Sequence, residues 1–354
     1  MSSATGTAGS LPPPVGVPPP AATPTPATGL AAESATRRER IAALIQRTGA
    51  FVVLIVVTLL GAIAFGPRFA NVNNFLNIIE ASSFLALVAI GMTFVIIGGG
   101  IDLSGGSMLA LAAVLTAFAA QSGESIAALL LPLLVGGAIG LANGVLISRG
   151  RMAPFIVTLA ALLFARGLAF AVADNGNTVY IISRDLWLVQ LGQGSLFGIR
   201  WPIWIAGAAF VIGWIVLERT RYGLSVSAIG GSEEASRLMG LPISRVKVAV
   251  YMVSALLATL AGILVAARSS SGLSTVGEGL ELQAIAAVVI GGTLLTGGSG
   301  SMLGTLAGVL LLGVIDNLIN QVGTLSSYVQ LVVSGAFLLI VVVVQTILTR
   351  EQRR

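Results

Sequence analysis

The sequence predicts an all-α polytopic membrane protein with about ten transmembrane helices and both termini in the cytoplasm. Three observations carry this. Hydrophobic residues make up 56% of the 354-residue chain and charged residues only 9%, with a mean hydropathy of +0.98, whereas about a quarter of the residues of a soluble domain are charged. Apolar runs of roughly the 20 residues needed to cross a bilayer follow one another along the chain. Basic residues gather in alternate connecting segments, as cytoplasmic loops require. The 44 glycines suit such a protein, because small residues let helix backbones approach closely in lipid.

Residues 1–36 hold Pro, Ala, Thr, Gly and Ser with one charge, Glu33, and no apolar period. Such a composition cannot bury a core, so this cytoplasmic tail is predicted to be disordered. The membrane domain is then 37–350. A secretory signal is disfavoured, because Arg37, Arg38, Arg40 and Arg47 come late and the apolar run after them is long enough to remain as a span. Spans are expected at 49–66, 76–98, 104–121, 126–148, 153–173, 201–217, 246–267, 279–296, 301–321 and 327–348. With the N-terminus inside, 14 basic residues lie on the cytoplasmic side and four outside (Arg68, Arg184, Arg200 and Arg268), while Arg166 falls in a span. The segment from Asp174 to Arg200, outside on this count, carries Tyr180 and Trp187. It is either a plain connection or holds a short amphipathic helix at headgroup level.

The chain has no cysteine and no histidine. This excludes thiolate and imidazole metal sites, Cys or His general bases and disulfide frameworks, and no metal site is expected. The net charge is +5, but the arginines flank apolar spans, so nucleic-acid binding is not expected.

Polarity concentrates in the loop 218–247, which holds eight of the 33 charged residues and falls on the cytoplasmic side. Within it a short helix has both ends specified. Ser232 is the expected N-cap, Glu233 and Glu234 complement the positive end of the helix dipole, and Gly240 followed by Pro242 gives a stop. Ala235, Leu238 and Met239 share one face, with Glu234 and Arg237 beside it. That face either fits a groove on a partner or lies on its own protein or on headgroups.

A second pattern is an internal echo. Residues 95–109 resemble residues 289–303 at an offset of 193 or 194, each a glycine-interrupted apolar segment containing Gly-Ser-Met-Leu. Irregular backbone at membrane depth is tolerated only beside protein or a water-filled cavity, so paired interruptions point toward a midplane pathway. Among ionisable residues, Glu80 and Glu281 are expected at the solvated outer interface, Asp102 at a span end, and Arg166 and Asp316 deeper, in a structural Arg to carboxylate pair.

Glu234-Ala235-Ser236 followed by Gly240 resembles the coupling motif of ABC-importer permeases, Glu-Ala-Ala, three residues, Gly, with Ser236 in place of an alanine. Gly91-Met92-Thr93 and the block Gly100 to Ser107, Gly-Ile-Asp-Leu-Ser-Gly-Gly-Ser, are similar to the ribose and xylose type of that family. The resemblance covers about 49–348. It implies a bacterial inner-membrane permease for a monosaccharide, working as a homodimer with ABC ATP-binding subunits and an extracytoplasmic sugar-binding protein in a lipid bilayer. It also gives Ser232 to Gly240, including Ala235, Arg237, Leu238 and Met239, the role of ATPase coupling.

A Walker loop ends in Gly-Lys-Ser or Gly-Lys-Thr, and the only lysine, Lys247, follows Val246. This chain therefore cannot supply that ATPase loop itself; the resemblance implies a permease that performs no covalent chemistry and needs no cofactor of its own, with ATP bound by the partner subunit. Gly99, Asp102, Ser104, Asn143, Gly292 and Asn317 are the candidates for the translocation pathway; Asn143, Asn317 and Asn320 suit sugar hydroxyls or interhelical hydrogen bonds. Three readings compete. A branched-chain amino-acid permease shares the coupling motif, an ion-coupled secondary transporter would use Glu80, Asp102, Glu281 and Asp316, and a membrane enzyme would need a Ser-Lys dyad or a carboxylate pair.

Overall fold

The structure, a computed structural model, describes residues 49–323 together with Val332, Gly335, Ala336, Leu339 and Val343. Among the described residues, eight helices are long and apolar enough to cross a membrane: α1 (Gly49–Arg68), α2 (Val72–Ile97), α3 (Gly105–Ala119, continued by a 3-10 turn to Ser122), α4 (Ser125–Ser148), α5 (Pro154–Val172), α7 (Trp201–Arg219), α10 (Ile243–Ser269) and α12 (Met302–Val322). Shorter helices are α6 (Trp187–Gln193), α8 (Arg221–Gly231), α9 (Glu233–Leu238) and α11 (Leu280–Ile290). The span expected at 327–348 lies outside the described residues apart from the isolated positions named above.

The span expected at 279–296 requires correction. Its helix, α11, has 11 residues, which rise about 16 Å against a hydrocarbon core of about 30 Å. Gly291 and Gly292 end it, with Gly292 at φ +89°, and the chain turns back through 291–301 to start α12. Hydropathy alone does not register such a reversal.

α2 is the central helix. From Ser82 to Ile97 every residue is buried, so this half of it faces protein on all sides. α10 packs across α2, α3 and α4. On α4, Gly136, Gly140 and Gly144 form a small stripe at intervals of four: a Cβ at Gly140 would lie 2.6 Å from the Ala255 Cβ, and one at Gly144 2.6 Å from the Val248 Cα. The stripe lets the two backbones approach, as small residues do in lipid.

At the Ser269 end of α10, the segment 174–200 contains the short amphipathic helix weighed above. α6 buries Leu188, Val189 and Gly192 while Trp187 stays half exposed. Gln193 Nε2 donates to the Arg268 carbonyl at 2.9 Å, fixing α6 to α10. Two very short ladders accompany it. β1 (Tyr180–Ile181) pairs antiparallel with β4 (Ser271–Gly272), and β2 (Ser195–Leu196) with β3 (Ile199–Arg200).

Two expectations about charges also change. Glu80 is not solvated: it is 2% exposed, and its Oε1 accepts from Arg200 at 3.2 Å and Arg268 at 3.0 Å, tying α2 to the residue that precedes α7 and to α10. Arg166 forms no ion pair with a carboxylate among the described residues. It donates to the carbonyls of Ser274 at 2.8 Å and Val276 at 2.9 Å, holding the segment that leads into α11.

Candidate functional site

At the opposite end of α10 from Arg268, the loop 218–247 folds into a platform. Thr220 caps α8 by accepting from the Gly223 N–H at 3.3 Å, and Gly223, Val226 and Ile229 turn inward against the bundle. Beside them, burial pushes the Tyr222 phenol up to about 12, so it stays neutral. α9 follows at once. Ser232 accepts from the Ala235 N–H at 3.2 Å, and Glu233 and Glu234 occupy the first turn. Gly240 takes φ +77° and donates to the Arg237 carbonyl at 3.0 Å, and Leu241 donates to the Ser236 carbonyl at 3.1 Å. This closes the helix as its sequence predicts.

The orientation of α9 decides what it can do. Ser236 is its one buried residue, at 0% exposure, whereas Leu238 is 86% and Met239 67% exposed. The Ala235, Leu238 and Met239 face therefore points away from the protein. Glu233 locks that orientation by accepting from Lys247 at 2.6 Å and Arg237 at 3.0 Å, and the hydrogen bond from Lys247 is the main cause holding its carboxyl below the usual 4.5.

Behind the platform lies a junction of glycines that turns the internal echo into backbone geometry. At the end of α2, Gly98, Gly99 and Gly100 donate to the carbonyls of Phe94, Ile96 and Val95; at the end of α11, Gly291, Gly292 and Thr293 donate to those of Ala287, Val289 and Val288. The same three bonds recur at the predicted offset of 193 residues, with Gly99 (φ +79°) and Gly292 both left-handed. The two ends meet where the Gly298 N–H donates to the Ile97 carbonyl at 2.8 Å. α8 closes the junction: a Cβ at Gly297 would lie 2.8 Å from the Gly230 oxygen, and one at Gly298 2.8 Å from the Gly231 Cα. Thr93 and Thr305, on α2 and α12, share a hydrogen bond at 2.8 Å.

The pathway candidates separate into groups. Gly99, Asp102 and Ser104 share the loop between α2 and α3. Asp102 is 1% exposed and accepts from the Ser104 N–H (2.9 Å), the Ser104 hydroxyl (2.6 Å) and the Ser254 hydroxyl (2.8 Å), so this buried carboxylate is satisfied by hydroxyl and amide donors. Gly292 belongs to the facing loop. Asn317 lies toward the other end, in the wall of a 440 Å³ cavity, with its amide in a reciprocal pair with Asn74 at 3.0 and 3.1 Å. Asn143 is buried on α4, apart from that cavity.

A family profile described as "Branched-chain amino acid transport system / permease component" matches residues 74–342. The chain belongs to this permease family. A ribose import permease protein of Escherichia coli (strain K12) is 40% identical over 304 residues, 85% of this chain and 94% of that protein. One of Bacillus subtilis (strain 168) is 42% identical over 295 residues, 83% and 89% of the two chains. An L-arabinose ABC transporter permease protein of Azospirillum brasilense is 36% identical over 313 residues, 88% and 90%. No solved structure matches the chain. In this permease, sequence reasoning missed the part of α8 in the glycine junction, although Gly230-Gly231 was its local signal. It also missed Asn77 and Gln283 in the cavity wall, which carry no local signal.

Proposed function

We propose that this permease is the membrane subunit of an ATP-driven importer of a monosaccharide of the ribose or xylose kind. Relatives named for import of ribose and L-arabinose support a sugar over a branched-chain amino acid, although the family description names the latter. ABC ATP-binding subunits on the cytoplasmic face, an extracytoplasmic binding protein and a second copy of the chain complete the assembly. The observation that carries the coupling role is the outward apolar face of α9, with Leu238 at 86% exposure. Covering a leucine side chain is worth about 1.5–3 kcal/mol, and a groove on the ATPase is the partner surface that fits it.

Motion of the ATPase would enter at α9, pass to α8 through Ser232, and reach the glycine junction through Gly230 and Gly231. Both glycine loops would then move together, because Gly298 is bonded to Ile97. Reconstitution with its ATPase and receptor tests this. Glu234→Arg and Leu238→Asp should leave the chain in the membrane while abolishing ATP-dependent uptake, and undiminished uptake in both would remove the coupling role. Sugar uptake driven by an ion gradient in liposomes holding this chain alone would favour a secondary transporter instead.

A further inference from the structure

A polar cavity lies at the end of α10 away from α9, among the first half of α2, the start of α11 and the second half of α12. Its 440 Å³ sits within the about 300–1,000 Å³ of ligand cavities and far above the about 30 Å³ of one water. Its polar lining combines five neutral groups, Asn77, Ser82, Gln283, Asn317 and Asn320, with two ionisable ones, Arg268 and the Asp316 carboxyl, which can itself accept from a hydroxyl. An Asn or Gln amide offers two donors and an acceptor, and a hydroxyl offers both. That set complements sugar hydroxyls, each of which also donates and accepts.

Several of these groups are poised rather than committed. The Ser82 hydroxyl is buried and has no hydrogen-bond partner among the described residues, and a buried unpaired hydroxyl costs about 1–3 kcal/mol until something bonds it. Neither the Asn77 nor the Gln283 amide has an assigned hydrogen bond among the described residues. Arg268 also lines the cavity, but its guanidinium is held by Glu80 at 3.0 Å and lies 5.5 Å from the Phe84 ring centre. It is therefore already engaged by the carboxylate that it shares with Arg200, rather than free for a ligand.

We propose that this cavity is a substrate subsite within each permease chain, taking one neutral polyhydroxylated molecule of pentose or hexose size through Asn77, Ser82 and Gln283. The proposal rests on the importer reading above and deepens it. Binding there is weak by construction, since neutral hydrogen bonds exchanged against water are worth about 0.5–1.5 kcal/mol each, and a transport site must release what it takes.

The absence of cysteine supplies the test. In the complete importer in proteoliposomes, Asn77→Cys, Ala81→Cys and Gln283→Cys each carry a single thiol on the cavity wall, and Ser195→Cys on β2 serves as a control away from it. Labelling with a membrane-impermeant thiol reagent is timed with and without millimolar D-ribose. Severalfold slowing by ribose at the cavity positions, with none at Ser195→Cys, is the expected result. Equal rates at all the cavity positions, in an importer that still accumulates ribose, would overturn the subsite and leave the importer reading standing. Protection by leucine but not by any of a panel of pentoses and hexoses would overturn the substrate class. An unsubstituted importer that moves no sugar with ATP fails at the importer reading itself. Independently, Asn77→Leu combined with Gln283→Leu should lower the sugar moved per ATP hydrolysed by about tenfold, as loss of two such hydrogen bonds implies; an unchanged ratio counts against the subsite.

Discussion

Lys247 Nζ lies 2.6 Å from Glu233 Oε2, so the chain's one lysine ties the first residue of α9 to the first turn of α10. Glu233 titrates below its ordinary 4.5, chiefly because of this hydrogen bond. The sign follows from linkage. A carboxylate whose folded-state pKa is depressed contributes stability above its unfolded pKa, and loses it as pH falls through the lowered value. The wild type should therefore exceed Glu233→Gln in thermal stability at neutral pH, by no more than about 1 kcal/mol because the carboxylate is partly solvated. The two should converge as pH drops below 4.5. Melting curves in detergent from pH 7 to pH 3.5 check this, and equal stability at neutral pH would show the bridge to be inert.

Ser236 occupies the position where the coupling motif has alanine. It is fully buried, and its hydroxyl has no partner among the described residues. Removing an unpaired buried hydroxyl recovers part of its desolvation cost, so Ser236→Ala should stabilise the protein by about 1 kcal/mol. Ser236→Val should destabilise it, because overpacking costs about 1–3 kcal/mol. A lower melting midpoint for the alanine variant would mean that the hydroxyl is bonded.

These two residues also show what the sequence could reveal. The ends of α9 are set by neighbours within a few positions: Ser232 caps Ala235, and Gly240 supplies the left-handed turn. Local chemistry of this kind can be read along the chain. Which side of α9 faces inward depends on how it docks on the bundle, and no local pattern marked Ser236 rather than Leu238 as the buried residue. Glu80 is a similar case. Its position near a span end suggested solvation, and only the fold brings Arg200 and Arg268 to it from distant segments. For α11, apolar residues continue past Ile290, so hydropathy extended a span through Gly291 and Gly292, where the backbone turns. The repeat of the α2 ending at that point was visible as an echo, but only the backbone geometry shows that the helix stops there.

Gly230 packs where the platform meets both glycine loops. A Cβ there would collide with the Ile97 carbonyl and lie 2.8 Å from the Gly298 nitrogen, at the hydrogen bond that joins the loops. Gly230→Ala should lower stability by about 1–3 kcal/mol, and sugar uptake should fall further than receptor-stimulated ATP hydrolysis. Gly207, on α7, has no neighbour within 4 Å of such a Cβ among the described residues, so Gly207→Ala should be neutral or stabilising by up to about 1 kcal/mol through helix propensity. Parallel melting and uptake measurements on the two variants compare them, and equal behaviour would remove the junction from the coupling route.

The Glu80 triad predicts an order of damage rather than a single value. Its carboxylate side chain is 3% exposed, but Arg200 and Arg268 are 49% and 43% exposed. When Glu80→Gln removes the charge, both guanidinium groups can turn toward water, so the loss should stay near about 1–3 kcal/mol. Arg200→Gln combined with Arg268→Gln does the reverse and strands a buried carboxylate, a loss of about 3–5 kcal/mol when a partner is removed from a buried pair. Adding Glu80→Gln to that double variant should restore part of the stability, since an amide tolerates the site better than an unpaired charge. Melting midpoints of the three variants in one detergent give the order, and a double variant more stable than Glu80→Gln would show that the arginines do not hold the carboxylate.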